Sequence, residues 1–127
     1  MRAAGPMFNK MLEGAGASIA SMASSEVYAA LQTGVLTGVN TSSGSFVSFK
    51  IYEQVKCATP PGKFGLWFMY EPILISKKSF EALNDEQKKA LLAAGKKSEA
   101  YMLGQVEALD KKMEDTYKAK GVELAYM

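Results

Sequence analysis

Histidine is absent from the 127 residues, and cysteine and tryptophan occur once each, as Cys57 and Trp67. Without imidazole there is no Ser-His-Asp or Cys-His nucleophile pair, and zinc sites that depend on histidine fall away. A lone cysteine makes no intrachain disulfide and no thiolate cluster, so it leaves the redox compartment undecided. An excess of charge of one sign is also missing. The net charge is +2, with both signs interspersed, which provides no basic stripe; no RNP, zinc-finger or recognition-helix spacing occurs, so the sequence argues against nucleic acid as a partner. No apolar run approaches the roughly 20 residues that cross a bilayer. The opening Met1-Arg2-Ala3-Ala4-Gly5-Pro6 lacks the apolar stretch of a secretory signal, so no signal peptide is expected in this chain. What remains is a chain 48% apolar, enough for the core of one ordinary domain.

The apolar residues are arranged as alternating strands and helices. A brief strand is expected over residues 1–4. Gly5-Pro6 then opens a helix with Met7, Met11 and Leu12 on its apolar side, stopped by Gly14 and Gly16. A second strand is expected over 17–22. The tandem serines Ser24 and Ser25 next read as caps of a helix burying Val27, Ala30 and Leu31, ended by Gly34 before a strand over 35–39. The hydroxyl-rich run 41–45 leads into a largely buried helix carrying Phe46, Phe49, Ile51, Tyr52 and Val55. A strand is expected near 57–59, and Pro60-Pro61-Gly62 is a turn. Residues 66–70 and 73–75 form the most apolar stretch, and Pro72, lacking a backbone donor, places that strand at a sheet edge or bends it. Asn84-Asp85-Glu86-Gln87 has the form of a reciprocal helix cap. From there apolar residues recur every three to four positions as far as Tyr117, which predicts one helix of about 50 Å, with Gly95 and Gly104 as candidate breaks. Gly121 stops it before a final strand. The fold class is therefore α/β: a small, mainly parallel sheet flanked by helices, plus one long C-terminal helix.

The stretch Glu26-Val27-Tyr28-Ala29-Ala30-Leu31-Gln32-Thr33-Gly34-Val35-Leu36-Thr37-Gly38 closely resembles the E-V-Y-x-A-L-Q-x-G-V-x-x-G motif of the periplasmic solute-binding subunits of TRAP transporters, the DctP type. Met1-Arg2-Ala3-Ala4-Gly5 is similar to that family's K-x-R-x-x-G strand, and Phe49-Lys50-Ile51-Tyr52-Glu53-Gln54-Val55-Lys56 to its K-x-Y-E-V-x-K helix. The segment from Glu71-Pro72 through Ser76-Lys77, Phe80 and Leu83 resembles E-P-L-L-x-S-K-x-x-F-x-x-L. The resemblance covers nearly the whole chain, yet members of the family are usually more than twice as long. It therefore implies the C-terminal portion of such a receptor, a periplasmic-binding-protein type II-like lobe whose long helix extends beyond the lobe. On this reading residues 1–62 belong to the ligand-binding lobe, 63–84 form a strand and turn packing with a first lobe, and 85–127 form the spanning helix and final strand.

What the resemblance implies for function is non-enzymatic capture of a small organic acid in the periplasm and its delivery to membrane permease subunits, without cofactor or metal. The family's arginine at the position of Arg2 pairs with the ligand carboxylate, which suits a permanently charged fork of two parallel donors; read without the resemblance, Arg2 is a terminal surface arginine. Asn40, Thr41 and Ser42 fall where many members carry G-Q-E-N-P or an acidic-aromatic pair. The lack of an acid here, with Thr37 in place of a frequent aspartate, favours neutral hydrogen bonding over cation binding; the alternative is a polar turn and helix cap. Ser24 is a ligand residue or only a cap, and Trp67 is cleft wall or core. The competing reading is a self-associating interaction module: Trp67, Phe68, Met69 and the long helix seam present apolar surface that an isolated chain would cover by forming a homo-oligomer or swapping elements. Asp110 and Glu114 fit a solvated helix face better than an active site.

Overall fold

The computed structural model describes residues 1–62, 65–67 and 69–127. It comprises two compact units, Met1–Phe68 with Leu109–Met127, and Met69–Ala108.

In the first unit, Pro6 begins α1 (Pro6–Gly14), where its fixed φ suits the first helical turn and its missing donor costs nothing. The helix ends on Gly16 at φ 86°, with the Gly16 amide donating to the Glu13 carbonyl at 2.9 Å. Of the three apolar residues expected to face inward, only Leu12 is buried; Met7 is 78% exposed. The expected strand over 17–22 does not form. The Ala17 amide folds back to the Leu12 carbonyl and closes a turn, while the Ala20 amide reaches the distant Met1 carbonyl and the Met1 ammonium donates to the Ser18 carbonyl at 2.6 Å, so the segment lies against Met1 without extending into a strand.

A 3₁₀ turn (Ser24–Glu26) leads into α2 (Val27–Gln32). The cap is not a serine: the Glu26 carboxylate accepts from the Ala23 amide at 2.8 Å. Gly34, at φ 76°, ends the helix, and the Leu36 amide closes onto the Ala30 carbonyl at 2.9 Å, a left-handed C-terminal stop open to glycine without strain. The strand expected over 35–39 reduces to a single parallel bridge between Arg2 and Val39, and the strand expected over 1–4 is the other side of that bridge. Val27, Leu36 and Ile51 form one core cluster.

Ser42 caps α3 (Ser43–Ser48), its hydroxyl accepting from the Ser45 amide at 3.3 Å. The expected single helix through Val55 breaks at Lys50, which adopts φ 52°, and resumes as a 3₁₀ turn, Ile51–Glu53. A non-glycine residue in that region costs about 1 kcal/mol; here the break turns Ile51 into the core.

The expected strand near 57–59 is β1 (Cys57–Ala58), pairing in parallel with β2 (Glu123–Leu124) through Cys57–Glu123 and Ala58–Leu124. The sheet is thus parallel but much smaller than the alternating pattern suggests. Before β2, the last residues of α5 (Asp85–Ala119) bury Met113 and Tyr117 with Val122 in a second cluster. The Tyr117 ring meets the edges of Phe46 and Tyr52 at 5.9 and 5.8 Å, and burial pushes its phenol well above the ordinary value, with Tyr52 adding to the shift. Phe46 and Val55 contact both clusters. Asp110 accepts from the Ser43 hydroxyl at 2.6 Å. It therefore tethers the start of α3 to α5 instead of standing on a solvated face.

In the second unit, Ser76 caps α4 (Lys77–Glu81), accepting from the Ser79 amide at 3.0 Å. The reciprocal cap before α5 forms as the sequence predicts: the Gln87 amide donates to the Asn84 side chain at 2.9 Å, and the Asn84 amide to the Gln87 side chain at 3.0 Å. The 35 residues of α5 run unbroken through Gly95 and Gly104, about 52 Å in length. Residues 69–75 form no strand. Ile73 is 87% exposed and Leu74 and Tyr70 are similarly bare, and Pro72 interrupts the run of donors a ladder would need. Phe68, part of the same expected strand, lies outside the described residues.

Candidate functional site

The bridge between Arg2 and Val39 sets the geometry. The Arg2 amide donates to the Gly38 carbonyl at 3.0 Å and the Asn40 amide to the Arg2 carbonyl at 2.8 Å. Paired residues of a bridge point to one face and the next residue to the other. Arg2 therefore heads toward Ser24, and Asn40 toward Leu66.

Arg2 is only 7% exposed. Its Nε donates to the Met22 carbonyl at 3.3 Å and one terminal nitrogen, Nη2, to the Ser24 hydroxyl at 2.9 Å. The other, Nη1, is buried without a partner, and no carboxylate pairs with the guanidinium among the described residues. A buried cation held only by neutral acceptors pays desolvation without a compensating charge. Arg2, Ser24, Val27, Thr41, Ser45 and Phe49 border a void of about 10 Å³, the size of one water molecule. The terminal arginine is thus a buried group, and Ser24, which the sequence offers as a cap, instead orients it.

A second, larger cavity of about 650 Å³ lies on the other side of the bridge, within the range of small-molecule sites. Asn40, Thr41 and Trp67 line it, so three of the six candidate residues meet here, and Thr41 borders both spaces. Asn40 is 8% exposed; its Nδ2 donates to the Leu66 carbonyl at 3.2 Å while Oδ1 is buried with no donor. The Trp67 ring stacks on Phe8 at 4.6 Å with the planes 3° apart. Ser42 lines neither space, its hydroxyl being spent on α3.

Sequence reasoning missed Phe8, Gln54, Lys56 and Thr59. Phe8 supports Trp67, and the other three line the larger cavity. Gln54 and Lys56 belong to the K-x-Y-E-V-x-K segment, which periodicity read as a buried helix. Only the break at Lys50 turns that segment into a cavity wall.

The sequence pattern of the family described as bacterial extracellular solute-binding protein, family 7 (DctP), matches residues 1–127. A solute-binding protein of Albidiferax ferrireducens is 35% identical over 114 residues, 90% of this chain and 34% of its own length. The crystal structure of a TRAP periplasmic solute-binding protein from Rhodoferax ferrireducens, with bound malonate, superposes with a TM-score of 0.83 at 33% identity, covering 98% of this chain and 40% of that one. Another, from a Sulfitobacter species with bound β-D-galacturonate, has a TM-score of 0.77 at 23% identity, over 99% of this chain and 41% of that one, and shows likeness of fold. This chain therefore spans about a third of the curated relative and about two fifths of the solved ones. A match over every residue, with the fold shared by TRAP periplasmic receptors, places the chain in the DctP family of solute-binding proteins, a transport family and not a family of enzymes.

Proposed function

We propose that the chain is the part of a TRAP-type receptor that holds a small organic acid, with the Arg2 guanidinium as partner of the ligand carboxylate, and that the whole receptor delivers the acid to membrane permease subunits. The observation that carries this reading is the state of Arg2: buried, oriented by Met22 and Ser24, and left with an unpaired terminal nitrogen. An incoming carboxylate would supply both the missing charge and the missing acceptor. The Rhodoferax ferrireducens relative holding malonate supports the ligand class. Because the void beside the guanidinium is water-sized, the reading requires Phe49 and Ser45 to yield when acid binds. Thermal unfolding against a panel of small mono- and dicarboxylates tests it: a ligand at 100 times its Kd raises stability by about 2.7 kcal/mol. A flat response across the panel contradicts the proposal.

A second reading is favoured by the second unit. Tyr70, Ile73, Leu74, Leu92, Tyr101 and Leu103 are largely exposed, more apolar surface in a short span than a monomer ordinarily leaves bare. The chain by itself would then self-associate through α5 and the segment before α4. Monomeric mass in light scattering at micromolar concentration contradicts this.

A further inference from the structure

We infer that the Phe49 side chain is the lid of the Arg2 site: its ring has to swing outward before a carboxylate reaches the guanidinium, and it limits how bulky an acid can follow. The inference rests on the acid-binding reading above and deepens it by naming the group that moves. Arg2 Nη1 is closed off from solvent, and the void that Arg2 borders has room for one water molecule. A carboxylate is larger than that, so part of the wall must give way. Most of the wall is fixed. Val27 and Ile51 belong to the core cluster, Val39 is held in the bridge, Thr41 is buried and Ser24 holds Nη2. Ser45 lies in the first turn of α3, where its amide donates to the Ser42 hydroxyl and its own hydroxyl accepts from the same group at 3.1 Å. α3 is in turn tied to α5, through Ser43 to Asp110 and through the Tyr117 hydroxyl to the Phe46 carbonyl. Phe49 differs from all of these. It follows the last residue of α3 and is 36% exposed, and rotation about its side-chain bonds carries the ring into solvent without breaking a hydrogen bond. Its backbone can stay in place, with the amide on the Ser45 carbonyl at 3.1 Å. Opening returns the buried part of the side chain, about two thirds of it, to water. That disfavours the open form by roughly 5- to 30-fold, and acid affinity falls by the same factor.

Calorimetric titration of malonate and benzylmalonate into the full chain, Phe49→Leu and Phe49→Ala tests this, with circular dichroism showing that each variant is folded. Phe49→Ala has no lid to open and should bind malonate roughly 5- to 30-fold tighter than the unaltered chain. Phe49→Leu keeps an apolar lid and should stay within about twofold of it. Benzylmalonate carries a ring that can occupy the space the lid vacates, so its gain in Phe49→Ala should exceed that of malonate. Truncating a residue that only supports the wall would weaken binding or leave it unchanged. Equal or weaker binding of malonate by Phe49→Ala would therefore overturn the lid and leave the acid-binding reading standing. A gain for benzylmalonate no larger than that for malonate would overturn the limit on bulk. Binding of neither acid to any of the three proteins would overturn both the lid and the reading beneath it. Should Phe49→Ala fail to fold, Phe49→Val carries the same test: malonate should bind about threefold tighter or more, and an unchanged affinity would overturn the lid.

Discussion

The guanidinium of Arg2 and the phenol of Tyr117 are both buried, and each makes a prediction of its own. Among the described residues Arg2 has two neutral partners and no charge partner, so replacing it with an isosteric apolar residue trades two hydrogen bonds for relief of a desolvated charge. Arg2→Met should change stability by no more than about 1.5 kcal/mol in urea unfolding while abolishing acid binding. A loss beyond about 3 kcal/mol would mark the guanidinium as a structural group. For Tyr117, burial raises the phenol above its ordinary value of 10.0. The unfolded chain therefore loses this proton first, and the stability the residue contributes is whole below about pH 10 and falls as pH rises beyond it. Among the described residues the hydroxyl makes one hydrogen bond, a long one of 3.4 Å to the Phe46 carbonyl. Tyr117→Phe should thus cost less than about 1 kcal/mol at neutral pH and flatten the alkaline decline, as followed by circular dichroism between pH 9 and 11. An unchanged decline would assign it to other tyrosines or lysines.

Glycine has opposite meanings in two elements. Gly95 and Gly104 sit inside α5 with nothing among the described residues within 4 Å of where a methyl group would stand, while Gly34 closes α2 at φ 76°. Alanine at 95 or 104 should stabilise by about 0.5–1 kcal/mol each, and alanine at 34 should destabilise by about 1 kcal/mol or more, read from denaturant midpoints. Equal effects at all three would mean that α5 is kinked at its glycines. The elements also show what the sequence could carry. Local signals came through: Pro6 opening α1, Gly34 and Gly121 as stops, the reciprocal Asn84–Gln87 cap, and the long periodicity of α5. Of the strands, those expected near 57–59 and after Gly121 came through as the short pair β1 and β2, while those expected over 17–22 and in the described part of the later apolar stretch, 69–75, did not, because an apolar run says nothing about its pairing partner and a ladder exists only where a second segment meets the first. Lys50 was invisible for a related reason. Its left-handed backbone is imposed by the burial of Ile51 rather than by any preference of lysine. The site was partly legible. The motif resemblance singled out Arg2, Ser24, Asn40, Thr41, Ser42 and Trp67, of which Asn40, Thr41 and Trp67 share one cavity and Ser42 borders none, whereas the tie between Ser24 and Arg2 spans 22 positions and appears only once the Arg2–Val39 bridge is formed.

For the whole molecule, membership of a solute-binding family and the buried arginine combine into one account: a lobe that presents a cation with no charge partner among the described residues on one side of a backbone bridge and a mainly apolar cavity on the other. The exposed apolar residues of α5 are a separate matter at this scale. Leu92→Glu together with Leu103→Glu should shift the chain toward monomer in light scattering while moving the unfolding midpoint by less than about 1 kcal/mol equivalent, since both residues are exposed. An unchanged mass distribution would place any association elsewhere. The central claim is the pairing of Arg2 with a carboxylate, and the measurement that addresses it most directly is a calorimetric titration of malonate into the chain and into Arg2→Lys. Lysine keeps the charge and loses the two-pronged donor geometry. The account predicts binding to the unaltered chain and at least about tenfold weaker binding to the variant; equal affinity for both proteins, or no binding to either, would contradict it.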